Sequence, residues 1–558
     1  MDRAAIPDRL DELLRVRVMD VEYVHVRLAS GDDLYVTGYG LPVIDLLLPE
    51  NYWTDKGWFR ANSQRLSGSS TLYRIRTKEV SGRWRDVVLK WNRMGQDVPG
   101  ATRADDLATA EFNSPFEEFS LALELRLAGG GRSGRVLTHR PLAIYVPARR
   151  VRLERLGRRL YKIEAKRDAH AEIELDPHRM YAVIYEWVKG IDTVEARNAG
   201  LIDTEAMVGL VERCRDDMRR NGFVVRDNKP EHVIVRPDGT GGLLRDRRGK
   251  LVYAMIDFEL LERAPERERA VRAAKRKAYL FKQAHRFESG RAFPPHLHPV
   301  SVLGVDYVYG RIESTGGALW VVGQDPDLFD YFLPEKWRKT PRTKLSNVNE
   351  VYETITKDNI HLVWRVSKIG ELPDMDPFKP DEQRIIGHGY NSPFEEIALA
   401  MKLTAGGIET IYPRAVYMTG EASNVSPGLA DDRRYEKHAD LRMPDGQHTL
   451  QPNRDYILIW GYWNAPDELL AERDEDLYTG INALDAYRRG LLSDQHYLQL
   501  MHTMGQRLEA VDIEDLSLRG NHLLLSLDRH GKLVLAADDL PAVRVCSFEL
   551  LRRVDHRS

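Results

Sequence analysis

Two rhythms of apolar and polar residues run along this chain. Residues 21–48 alternate and contain Ser30-Gly31-Asp32-Asp33, which predicts a hairpin. A β pattern resumes at 66 and ends in Arg85-Asp86-Val87-Val88-Leu89-Lys90-Trp91, with further strands expected at 141–147 and 181–188. Helical spacing comes first over residues 1–20, where Leu10, Leu13, Leu14 and Val18 predict a short amphipathic lead-in. A second helix starts at Ser114: Pro115 suits the first turn, Glu117 completes a capping box, and Gly129-Gly130-Gly131 ends it. Thr204 to Arg220 reads as a long helix, and a loop at 221–232 leads to the strand Val233-Ile234-Val235. A turn-rich insert precedes the strand Leu251 to Ile256, and 265–290 reads as a charged helix. Phe293-Pro294-Pro295-His296-Leu297-His298-Pro299 then reads as a linker.

Much of this pattern occurs twice. Asn113-Ser114-Pro115-Phe116-Glu117-Glu118 returns as Asn391-Ser392-Pro393-Phe394-Glu395-Glu396, and Asp257-Phe258-Glu259-Leu260-Leu261 returns as Ser547-Phe548-Glu549-Leu550-Leu551. Val21-Glu22-Tyr23-Val24 returns as Val305-Asp306-Tyr307-Val308, and offsets between copies stay between 275 and 290 residues. A single large domain has therefore been duplicated in tandem, and the array is not a solenoid of short repeats. The expected fold class is α+β: in each copy a β-rich lobe with one main helix, then a smaller, more helical lobe. The expected boundaries are a lead-in over 1–20, a first domain over 21–300 and a second over 301–558.

Composition narrows the function classes. With 42% apolar and 30% charged residues the chain is globular. Its 82 basic and 85 acidic side chains leave a formal charge of −3, which argues against a nucleic-acid coat or a membrane-surface binder. The basic run from Arg149 to Arg159 reads as a solvated loop or hairpin. Cys214 and Cys546, one per copy, form no disulfide framework, and no stretch has the apolar length of a signal or membrane span, so the expected location is cytoplasmic.

The most specific chemistry lies in Val225-Arg226-Asp227-Asn228-Lys229-Pro230-Glu231-His232, in the loop between the long helix and a strand. An Asp followed two residues later by Lys, and five later by a metal-capable side chain, suits phosphoryl transfer. The carboxylate orients the attacking hydroxyl, the ammonium neutralises developing charge, and the last residue reaches a divalent ion. This string resembles the catalytic loop of protein kinases and their relatives. In the same register, Lys90 resembles the strand Lys that holds ATP phosphates, and Glu118, with Glu117 as the alternative, resembles its acidic partner on the next helix. Tyr185-Glu186-Trp187-Val188-Lys189-Gly190 looks like the hinge that grips adenine, which implies backbone contacts at Glu186 and Trp187. Asp257-Phe258-Glu259 looks like the metal-binding Asp-Phe-Gly with its Gly replaced. Gly68, Ser69 and Ser70 stand where the family's phosphate loop lies, with one Gly in place of three.

The resemblance implies ATP as cofactor with Mg²⁺ or Mn²⁺, held by Asp257 and His232, and transfer to an alcohol group with Asp227 and Lys229 catalytic. His232 replaces the family's second metal ligand, an Asn, and an imidazole suits Mn²⁺ better than Mg²⁺. No Ala-Pro-Glu follows, and only about 45 residues separate Asp257 from the second copy, so the activation-loop logic of protein kinases does not carry over. In the second copy Lys90 falls on Arg365, Asp227 on Ser517 and Asp257 on Ser547, the pattern of a pseudokinase that regulates or binds a protein partner. The competing expectation is an inactive or nucleotide-sensing tandem scaffold. The sequence leaves open the acceptor and whether phosphoryl or another group, such as AMP, is moved.

Overall fold

The structure, a computed structural model, describes residues 13–66, 71–98, 110–128, 136–169, 175–288, 290–338, 340–346, 350–356, 358–423, 429–462, 479–528, 530–536 and 540–554. The chain divides into two compact units, Met1–Ala270 and Val271–Ser558. It is a mixed α+β protein with several antiparallel sheets.

An eight-stranded antiparallel sheet organises the first unit. In spatial order its strands are Leu13–Val18, Val21–Arg27, Asp33–Thr37, Pro141–Val146, Ala182–Glu186, Asp86–Trp91, Leu72–Arg76 and Ser63–Arg65. The second unit repeats that order with Leu297–Val302, Val305–Ile312, Gly317–Val322, Tyr412–Ala422, Arg454–Gly461, His361–Val366, Val351–Ile355 and Arg342–Lys344.

Both faces of the first sheet are covered, so its central strands read as apolar runs. Ala182 and Ile184 face a core with Val87, Leu89, Ile44, Leu47 and Tyr52. Val183 and Tyr185 face the opposite core, where Phe116 and Phe119 of the helix Pro115–Ala128 are buried. Burying each of these phenylalanines contributes about 2–3 kcal/mol. One turn on, Leu121, Ala122 and Leu125 of that helix enter a third core with Leu210, Val211 and Met218 of Thr204–Arg220, and with Met255 and Phe258. The helix is therefore buried against two sets of elements, and its first turn lies where they meet.

Three sequence expectations fail locally. Leu13–Val18, within the predicted lead-in helix, is a strand. Leu14, Val16 and Val18 also alternate, and Met19 and Asp20, at φ +50° and +65°, close a two-residue turn pairing Val18 with Val21. The predicted linker ends inside the strand Leu297–Val302, whose edge position tolerates Pro299. The basic run is solvated as expected except at Arg158, which lies buried between the helices Leu153–Leu156 and Leu160–Ala169 and donates to the carbonyls of Pro177 (2.9 Å) and Arg179 (2.6 Å). Among the described residues no helix is long and apolar enough to cross a membrane.

The repeated Asn-Ser-Pro-Phe-Glu-Glu string has a structural role in both units. Ser114 Oγ accepts from the Glu117 N–H (3.2 Å) and Glu117 accepts from the Ser114 N–H (2.6 Å), closing the capping box. Asn113 Nδ2 donates to the carbonyls of Phe258 (3.1 Å) and Leu261 (2.9 Å), while its own carbonyl accepts from Asn92 (3.0 Å). Asn391 holds Phe548 (2.9 Å) and Leu551 (2.8 Å) in the same way. Replacing either Asn by Ala removes two side-chain donors from the turn, leaving the Phe258 and Phe548 carbonyls only the N–H of Leu261 and Leu551, and should destabilise its own unit by about 1–3 kcal/mol. Denaturant titration checks this; a change under about 0.5 kcal/mol would reduce the clasp to ordinary surface behaviour.

Candidate active site in the first unit

Strand alternation carries Lys90 inward. Val87 and Leu89 point to one core, so Val88 and Lys90 face the Pro115 helix, and the Lys90 side chain is only 6% exposed. An ammonium this deep requires compensation. It is in contact with Asp257 Oδ1 and lies 3.0 Å from Glu259 Oε2 and 3.9 Å from Glu118 Oε1. Burial alone would lower its pKa, but Asp257, Glu118 and Glu259 outweigh burial and keep the ammonium charged well above its ordinary range.

Each carboxylate is held differently. Glu118, in the buried first turn of the helix, accepts from Tyr185 Oη (2.8 Å) and Asn92 Nδ2 (3.4 Å). Burial raises its carboxyl to about 7; Lys90 offsets only part of this, and Glu259 and Asp257 add to the rise. Burial would raise Asp257 too, but Lys90 in contact, then His232, hold it well below the ordinary carboxylate range. Asp257 adopts φ +67°, a left-handed backbone that Asp tolerates better than most residues and that often marks functional positions. Glu259 is gripped by the Arg93 guanidinium, which stacks over Phe112 at 4.0 Å.

The loop from Arg226 to His232 approaches the same place. Lys229 Nζ donates to Asp227 Oδ2 (2.7 Å). His232 Nδ1 lies 2.9 Å from the Asp227 carbonyl, which can only accept, so Nδ1 carries a proton, and Nε2 offers a lone pair whenever it is unprotonated. That Nε2 faces Asp257 Oδ2 at 3.5 Å. Two acceptors do not converge unless a proton or a cation lies between them, and a backbone-anchored Nδ1–H is the usual support of a metal-binding imidazole. Among the described residues no group of three or more His, Cys, Asp or Glu forms a fuller ligand set.

The structure thus brings Lys90, Glu118, Asp227, Lys229, His232 and Asp257 together from four chain segments. Glu186 and Trp187 lie at a strand end with their backbone donors engaged: Glu186 N–H to the Arg140 carbonyl (2.9 Å) and Trp187 N–H to that of Asp86 (3.1 Å). The Glu186 side chain pairs with Arg140 (3.0 Å), and Arg74 stacks over Trp187 at 4.6 Å. Gly68, Ser69 and Ser70 lie outside the described residues. Sequence reasoning missed Glu259 and Arg93 as part of the cluster, having read Glu259 only as a lost Gly. The signal was there, because the second copy keeps Glu549 and places Lys368 where Arg93 stands.

At the corresponding place in the second unit, Arg365 contacts Glu396 and lies 3.0 Å from Glu549, which Lys368 approaches at 3.7 Å. His522 Nδ1 pairs with the buried Asp515 carboxylate (2.9 Å) instead of a backbone carbonyl. Strand register confirms the alignment: Val225 pairs with Leu261 as Asp515 pairs with Leu551, which sets Ser517 at the place of Asp227.

No family model and no curated protein matches the chain. Solved structures similar to part of it include a crystal structure of WbdD, with 14% identity over 38% of this chain and a TM-score of 0.18. Another is Rad53 1-466 in complex with AMP-PNP, with 11% identity over 46% of this chain and a TM-score of 0.19. The matched part spans 36% of the WbdD chain and 67% of the Rad53 chain. At these TM-scores neither likeness bears on what this chain does.

Glu118 gives the site a pH signature. Its folded pKa, about 7, lies above its unfolded one, so the folded state binds the extra proton. Stability from this group is full below the ordinary carboxylate range, falls as pH rises through about 7, and the loss amounts to about 3 kcal/mol. His139, stacked on Tyr185 at 3.5 Å and kept neutral chiefly by burial, contributes the opposite slope below its ordinary range. The difference between wild type and Glu118→Gln therefore isolates Glu118. Denaturation at pH 5 to 8 should show Glu118→Gln gaining on wild type as pH rises; parallel curves would contradict a titrating Glu118.

Proposed function

We propose that the first unit is an ATP-dependent phosphotransferase acting on a hydroxyl group, and that the second unit keeps the kinase-like fold without the chemistry. The observation that carries this reading is the ion cluster joining Lys90, Glu118 and Asp257, residues up to 167 apart in sequence. The kinase resemblance requires that trio to meet. A nucleotide bound here supplies the phosphoryl group, and a divalent ion neutralises its charge.

The chain's own residues divide the remaining work. Lys90 presents a fixed positive charge to phosphate oxygens, and Glu118 sets the depth of that ammonium. Asp257 Oδ2 and His232 Nε2 are the donors fitted to a cation, with phosphate and water completing its shell. Asp227 orients the acceptor hydroxyl and takes its proton, and Lys229, now on Asp227 Oδ2, is close enough to steady charge on the transferred group. The carboxylates of Asp257 and Glu259 would repel an uncompensated polyphosphate, so nucleotide binding should require the divalent ion. In the second unit the Arg365 fork is divided between Glu396 and Glu549, which supports one nucleotide per chain.

A second reading is favoured by one feature: Lys90 and Lys229 are both already paired with carboxylates, as in a sensor that binds nucleotide without turning it over.

Thermal-shift and transfer assays with labelled ATP and a lysate acceptor pool separate the two. Turnover should fall about 10²–10³-fold in Asp227→Asn while nucleotide-dependent stabilisation persists; Asp257→Asn should lose both. Stabilisation without turnover in wild type selects the sensor, and no stabilisation with any divalent ion rejects both readings. Nucleotide-dependent stabilisation should also be larger with Mn²⁺ than with Mg²⁺, and His232→Asn should reverse that order. An unchanged order in the variant removes His232 from the cation site.

A further inference from the structure

The second unit contains a cavity of about 670 Å³ beside the helix Pro393–Ala405, floored by Leu303 and Leu399 and rimmed by Arg434, Lys437, Arg552 and Arg553. Among the described residues the carboxylate in its lining is Glu395, and that group is already committed. Its Oε1 accepts from Arg434 (3.0 Å) and Lys437 (2.7 Å) and lies 3.1 Å from His438 Nε2. Four cations thus rim a cavity whose one lining carboxylate is already saturated by two of them.

The first unit neutralises the same face. There Arg263 donates to Glu124 (2.7 Å) and Glu268 (2.9 Å), and Glu262 holds Arg226 (3.0 Å). Phe223 pairs with Arg263 as Ile513 pairs with Arg553, so Arg553 stands for Arg263 and Arg552 for Glu262. Counting along the helix from Asn113 and Asn391 puts Lys402 at the place of Glu124. Two carboxylates of the first unit are therefore cations in the second. Arg552 finds a substitute in Glu514 (2.5 Å), which Arg384 shares (2.5 Å). Arg553 has no carboxylate within ion-pair distance among the described residues.

Cations held together over a cavity repel one another, and an anion relieves that repulsion. The volume is that of small-molecule sites, and a guanidinium fork beside a Lys matches phosphate geometry. We propose that this cavity binds a phosphate-bearing small molecule, with Arg553 and Lys437 on the phosphate and Leu303 and Leu399 against its apolar body. All of the lining belongs to the second unit.

Pyrophosphate tests it, since it carries the charge without a nucleobase. Isothermal titration uses the full chain and three variants. Lys402→Glu recreates the Arg263–Glu124 pair and adds an ion pair, so folding is not at risk; Arg553→Gln removes the unpaired cation; Lys90→Met disables the first unit's cluster. Lys402→Glu and Arg553→Gln should each weaken binding about tenfold or more, Lys90→Met should leave it unchanged, and added salt should weaken it. No binding to wild type, equal binding in Lys402→Glu and Arg553→Gln, or loss confined to Lys90→Met each overturns the proposal.

Discussion

One side-chain amide sets the geometry on which the candidate site depends. Asn113 ties the start of the Pro115 helix to the carbonyls of Phe258 and Leu261, in the turn that leads into the strand Leu261–Arg263. With the Asn113 N–H on the Glu259 carbonyl (2.8 Å), these bonds couple the turn to the helix. That clasp fixes Glu118 on one side and Asp257 on the other, leaving Lys90 room to reach both. Asn391 does the same in the second unit, where Ser517 and Ser547 stand for Asp227 and Asp257, so the clasp serves the fold first and the candidate site by consequence.

Comparison of the units separates scaffold from chemistry. Glu259 with Arg93 recurs as Glu549 with Lys368, and the buried helix glutamate recurs as Glu396. These contacts join strand, helix and turn whatever else the site does. Asp227, Asp257 and the left-handed backbone at Asp257 do not recur. Of the aligned pair, Asp257 has the left-handed backbone and Ser547 does not.

Local signals in the sequence were sufficient for much of this. The capping box, the helix Thr204–Arg220 and the strand pairs follow from spacing and turn chemistry, because each depends on neighbours close in sequence. The register linking Lys90, Glu118 and Asp257 was legible through the kinase resemblance, and the second copy then supplied a comparison. Residues 13–18 misled because Leu14, Val16 and Val18 satisfy both periods over so short a span, and the deciding force was the Met19-Asp20 turn. Glu259 misled for another reason: its importance lies in a contact with Lys90 and Arg93, some 166 residues upstream, which no local pattern encodes. The Arg158 carbonyl contacts were equally invisible, since a basic run carries no mark of which member is buried.

The exchange of Lys90 for Arg365 shows how a small change of shape can close such a site. An ammonium is a point donor that can rotate among three carboxylates and still turn toward a phosphate. A guanidinium is a rigid fork, and in the second unit its two prongs are fixed on Glu396 and Glu549. Releasing one prong would strand a buried carboxylate, which costs far more than an exposed ion pair is worth. With Ser547 in place of Asp257, the third acid of the first unit's set has no counterpart here. The positive charge therefore survives in the second unit as mortar between helix and turn, while in the first unit the same position holds a charge that can be shared.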